Sequence, residues 1–157
     1  MKKSRSILFR LPLLAAVVLQ SSILAATVTW DGGGGDKLWH NPKNWNPDTL
    51  PGPQDTAIIS GPPEVTVRGS ALVAELIIAM ETALVVDGST TTFTASSGAQ
   101  IDGARLVATD GGRVSISLLD SIRDTSTPSL FSPPRFEANG AGSLIEFPDL
   151  TTFRARE

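Results

Sequence analysis

Apolar and polar residues alternate in short runs through the middle of the chain. The runs are VTV at 65–67, Leu72 to Ala79, ALVV at 83–86, TTFTA at 91–95, AQI at 99–101, RLVA at 105–108 and RVSISL at 113–118. Gly, Ser, Thr and Asp separate them. A period of two, carried by Val, Ile, Thr and Phe, fits a pleated strand with one buried face. The pattern predicts short β-strands across 64–119. ALVAELIIAMETA, starting at Ala71, offers a competing helix, because Ala, Leu, Glu and Met are good helix formers. Gly69 and Gly88 keep that segment short and strand-like runs surround it, so strand is expected there as well.

The flanks read differently. Residues 27–63 contain all three tryptophans, Trp30, Trp39 and Trp45. Four consecutive glycines at 32–35 and prolines at 42, 47, 51 and 53 leave no periodic stretch long enough for a helix. Residues 120–135 form a Pro/Ser-rich loop, after which strand-like sequence resumes over 136–157.

An internal repeat ties these parts together. FTASSGAQI from Phe93, LVATDGGRV from Leu106 and FEANGAGSL from Phe136 share an apolar residue, Ala two later, a small pair, and an apolar residue eight later. A strand, a small-residue corner and another strand make one step of a β-solenoid, with Ala pointing inward and Gly allowing the turn. The expected fold is all-β: a short right-handed parallel β-solenoid with a Trp-rich irregular N-terminal cap. A β-sandwich with ordinary hairpins is the alternative.

The N-terminus changes where such a fold would work. Lys2, Lys3, Arg5 and Arg10 precede an apolar run from Leu11 to Leu19, and small residues follow at Ala25 and Ala26. A basic head, a short apolar middle and a small-residue stop are the marks of a secretory signal peptide, here residues 1–26. The run is shorter than the roughly 20 residues that span a bilayer, so no membrane span is expected after cleavage. The remaining chain has nine basic and sixteen acidic residues, a formal charge of −7. That balance argues against nucleic acid or an anionic membrane as partner. There is no cysteine, so the exported domain is not a disulfide scaffold.

Residues 29–45, T-W-D-G-G-G-G-D-x-x-W-x-x-x-x-N-W, followed by LPGPQDTAII at 50–59, resemble the opening of large bacterial exported proteins of autotransporter-passenger-like or adhesin-like type. The resemblance covers roughly 27–120 and implies parallel β-helix repeats and an extracellular location more than an activity. Those proteins run to many hundreds of residues. This chain stops at TTFRARE, part-way through a repeat-like unit, which leads to the expectation of a truncated frame.

Candidate chemistry is sparse. His40 is the only histidine, so a His-based metal cluster is impossible and a catalytic triad would rest on it alone. No phosphate loop, Gly-x-Ser-x-Gly or His-Glu-x-x-His occurs. Asp102, Asp110, Asp120 and Asp124 are the carboxylates a polysaccharide lyase or hydrolase could use, against the plainer reading of turn aspartates. Asp31, Asp36, Asp48 and Asp55 could be weighed for calcium, but turn chemistry explains them better. Neither a cofactor nor a metal is expected, and the chain is read as non-enzymatic.

The tryptophans carry the one ligand-binding candidate. Trp30, Trp39 and Trp45 could form a sugar-stacking platform, with Asn41, Asn44 and Asp36 supplying hydrogen bonds to an extracellular polysaccharide or cell-surface component. The competing reading folds the indoles over the open end of the solenoid as a cap. The function expected is an exported structural or adhesion-type module. The alternatives are a carbohydrate-binding module or the N-terminal fragment of a β-helix lyase or hydrolase. An uncapped C-terminal edge would allow self-association.

Overall fold

The computed structural model describes residues 24–61, 64–79, 81–119 and 135–151. Residues 1–23, most of the stretch expected to be a signal peptide, and 120–134, most of the Pro/Ser-rich stretch, lie outside them. Eleven strands form among the described residues: β1 (Thr27–Trp30), β2 (Trp45–Asn46), β3 (Thr56–Ile59), β4 (Glu64–Val67), β5 (Ser70–Ile78), β6 (Ala83–Asp87), β7 (Thr92–Ile101), β8 (Arg105–Thr109), β9 (Arg113–Ile116), β10 (Arg135–Asn139) and β11 (Leu144–Glu146). The only helical element described is a 3-10 turn at Pro42–Asn44.

The strands build two parallel sheets, neither closed on itself. One has seven strands in the order β11-β9-β7-β5-β3-β1-β2, the other four in the order β10-β8-β6-β4. From β3 onward, successive strands therefore go alternately to one sheet and the other. The β1–β2 pair is antiparallel and every other named pair is parallel. This is not the pairing of a hairpin-built sandwich, which is antiparallel.

Register explains the core. In the four-stranded sheet Val65 pairs with Leu84, Leu84 with Leu106, and Leu106 with Phe136, while Val67, Val86, Ala108 and Ala138 form the next row. In the larger sheet Ala71, Phe93, Val114 and Ile145 line up in the same way. Like positions thus stack from strand to strand. Val65, Leu84 and Leu106 are fully buried, and each such side chain contributes about 1.5–3 kcal/mol over its exposed state.

β5 is a strand despite its helix-forming composition. It pairs on both sides, with β3 through Glu75–Ile78 and with β7 along its length. Central pairing with buried Ala71, Val73, Leu76 and Ile78 outweighs local propensity. Val73 and Leu76 both point inward although they are three residues apart. Strict alternation would turn one of them outward, and the register shift between Val73 and Glu75 absorbs the odd residue.

The runs 91–95 and 99–101 merge into the single strand β7, because Ser96 to Gly98 follow the irregularity in β5 rather than turning away. This separates the first repeat copy from the others. Leu106 and Phe136 are direct register partners in one sheet, whereas Phe93 lies in the other and pairs with Ala71 and Val114. Strand structure also begins well before residue 64. TVTW and TAII alternate, bury Val28, Trp30, Ala57 and Ile59, and pair in parallel as β1 and β3, so the segment expected to be an irregular cap contains sheet.

Hydroxyl groups fasten the corners. Thr91 Oγ1 donates to Asp87 O at 2.7 Å and accepts from Gly69 N at 3.1 Å, one layer back. Ser143 repeats the device, donating to Asn139 O at 2.6 Å and accepting from Gly111 N at 3.0 Å. Gly112 is required by packing, as a Cβ there would run into the Val86 carbonyl.

Candidate functional site

The structure brings all six candidate residues together, from Trp30 at the end of β1, along the linking segment, to Trp45 at the start of β2. The indoles form a continuous edge-to-face series. Trp30 and Trp45 lie 5.1 Å apart between centroids, Trp45 and Trp39 4.7 Å, and Trp39 and Phe93 of β7 5.2 Å. All are within the range of favourable aromatic pairs. Trp45 Nε1 donates to the Trp39 carbonyl at 2.8 Å, so the polar atom of the innermost indole is satisfied in place. Exposure is 6 % for Trp30, 1 % for Trp39 and 0 % for Trp45. No indole presents an open face to solvent.

The three polar candidates hydrogen-bond to one another. Asp36 Oδ1 accepts from Leu38 N at 2.9 Å and Asn44 Nδ2 at 2.6 Å, and Asp36 Oδ2 accepts from Asn41 Nδ2 at 2.9 Å. Asn44 Nδ2 also donates to Leu38 O, and its Oδ1 accepts from Gly34 N. Asn41 Oδ1 accepts from Lys43 N, capping the 3-10 turn. The donors from Leu38, Asn41 and Asn44, in that order of effect, hold the Asp36 carboxyl below the usual aspartate range. A Cβ on Gly34 would strike Asn41 Nδ2 and come within 2.6 Å of Asn44 Oδ1, so glycine there leaves room for both amides.

This segment also covers strand edges. Lys37 to Trp39 lie beside β4, with Trp39 N donating to Thr66 O at 2.9 Å and Thr66 N to Lys37 O at 2.7 Å. β1 and then β2 complete the same end of the seven-stranded sheet. Two partners in this arrangement, Phe93 and Thr66, were not readable from the sequence. They lie 20 or more residues away, and only the fold brings them in.

The other candidates are scattered. His40 Nε2 donates to Ser70 O at 3.1 Å on the exposed side of the segment. Asp31 Oδ1 accepts from Gly33 N, and Asp55 accepts from Ala26 N and Gly52 N, as turn and tether residues do. Asp48 is exposed in the loop after β2. Asp102 follows β7 and Asp110 follows β8, at different corners, while Asp120 and Asp124 lie outside the described residues. Among the described residues no group of three or more His, Cys, Asp or Glu could hold a metal ion. None of their helices is long and apolar enough to cross a membrane. No protein-family model, curated protein or solved structure matches the chain.

Proposed function

We propose that the chain is an exported, non-enzymatic structural or adhesion-type module, built as a short right-handed β-solenoid whose tryptophan segment is its N-terminal cap. The observation that carries this reading is the burial of all three indoles in a segment that also lies against the first strands of both sheets. Sheet ends recruit other chains unless they are covered, and the stacked layers of a solenoid need such a cover. The alternation of strands between two parallel sheets and the in-register rows support the coil reading, with one coil running, for example, from β5 through β6. Right-handed winding is the rule for parallel crossovers.

Export rests on residues 1–26. A reporter active only outside the cytoplasm, fused after Ala26, should be active. An inactive, cytoplasmic reporter would refute export. The carbohydrate-binding alternative needs at least one accessible ring face. Titration of the purified chain with polysaccharides, followed by Trp emission, separates the two. The cap predicts no change at any sugar concentration that leaves the fold intact, and a saturable shift would favour the sugar site. Self-association through β10 and β11, the last strands in the two sheet orders, is part of the same proposal. Sedimentation would detect it as a concentration-dependent mass.

A further inference from the structure

We propose that Asn139–Gly140 is a spontaneous modification site, at which the folded protein converts asparagine to aspartate and isoaspartate. The reaction needs a backbone N–H free to attack and a carboxamide free to be attacked. The chain has four asparagines, at 41, 44, 46 and 139. Asn41 and Asn46 precede proline, which has no N–H. Asn44 has both ends of its side chain engaged, and the N–H that follows it, on Trp45, donates to Pro42 O. Only Asn139 is left. It is exposed, and neither its carboxamide nor the Gly140 N–H has a hydrogen-bond partner among the described residues.

The place of β10 in the sheet explains that freedom. At the corresponding corner after β6, Gly88 N donates to Thr109 O on the next strand at 3.1 Å. β10 is the last strand of its sheet, so Gly140 N has no such carbonyl opposite it. Of the four Asp–Gly pairs, at 31, 87, 102 and 110, all share one protection and those at 31, 87 and 110 have a second. A carboxylate is a poorer electrophile than an amide at every one of them, and Gly32 N, Gly88 N and Gly111 N are also engaged.

In the first step Gly140 N attacks Asn139 Cγ. The N–Cγ bond forms, the Cγ–Nδ2 bond breaks, and ammonia leaves carrying the amide proton. Water then opens the cyclic imide at either carbonyl. Attack on one side gives aspartate. Attack on the other gives isoaspartate, which lengthens the main chain by one carbon just ahead of β11. Either product adds a negative charge to the row Asp87, Thr109, Asn139, near Asp110. Ring closure requires the Asn139 peptide to rotate. The bonds to its carbonyl from Asp110 N at 3.1 Å and Ser143 Oγ at 2.6 Å act as the brake.

The test is incubation of the full chain at mildly alkaline pH, with peptide mapping by mass spectrometry and isoaspartate detection over time. The expected result is conversion at Asn139 ahead of the other three asparagines, several-fold faster in Ser143→Ala. Folded Ser143→Ala and wild type, matched by circular dichroism, keep the comparison interpretable. The proposal is overturned if Asn139 stays intact while the same chain in urea converts it, if another asparagine converts as fast, or if Ser143→Ala leaves the rate unchanged.

Discussion

Replacing Trp45 by Phe keeps an aromatic ring in the cap while removing the indole N–H and part of the buried volume. Trp45 is fully buried, and its Nε1 is the donor to the Trp39 carbonyl. Leaving a buried acceptor without its donor costs about 1–3 kcal/mol. The lost volume adds roughly 1–2 kcal/mol, since neighbours close only part of the gap. The sum, about 2–5 kcal/mol, is a large share of the ~5–15 kcal/mol that holds a typical domain together. With a urea slope of about 2 kcal/mol per molar, the midpoint should fall by roughly 1–2.5 M. Trp45→Ala removes the whole ring at about 3–5 kcal/mol on top of the same orphaned carbonyl, and should detach the cap. The assay is urea unfolding by far-UV circular dichroism. A Trp45→Phe midpoint indistinguishable from wild type would refute the reasoning, because only exposed positions tolerate such a change within about 0.5 kcal/mol.

Three further outcomes are expected. Gly34→Ala should destabilise the cap by about 2–3 kcal/mol through overpacking against Asn41 and Asn44, measured as an earlier loss of native Trp emission in urea. Thr91→Val should cost about 1–2 kcal/mol, because it strands the Gly69 N–H and Asp87 carbonyl in a part-buried corner, and the fall in thermal midpoint would report it. Acid should weaken the cap through Asp36. Its carboxyl is held below the usual range, so its contribution is complete above the unfolded-state value and is lost as pH falls through the lowered one. Trp emission against pH should therefore show an acid transition whose Asp36 component disappears in Asp36→Asn.

Much of the fold was legible where local pattern and long-range pairing agree. VTV at 65–67 alternates, ALVV at 83–86 and RLVA at 105–108 are short apolar runs bounded by polar residues and Gly, and each became a strand of the four-stranded sheet. The β7 strand was legible only in halves. Ser96 and Ser97 look like a turn, and pairing with β5 alone carries the chain through them. β1 and β3 were hidden for a similar reason, since the glycines and prolines around them masked two four-residue strands held by pairing with each other. In the candidate site, proximity was legible because five of the six residues fall within Asp36–Trp45 and the sixth, Trp30, shortly precedes them. Burial and partner choice were not. Asp36, Asn41 and Asn44 have the right groups for a sugar, and only the geometry shows them bonded to each other.

The most direct test of the cap is urea unfolding of the purified chain, followed in one sample by far-UV circular dichroism and Trp emission. All three tryptophans lie in the segment from Trp30 to Trp45, so emission reports that segment while the dichroism reports the sheets. A cap packed onto the first strands of both sheets predicts two superimposable cooperative transitions. Emission that shifts well before the β signal is lost would mean that the segment detaches on its own, and would contradict the account.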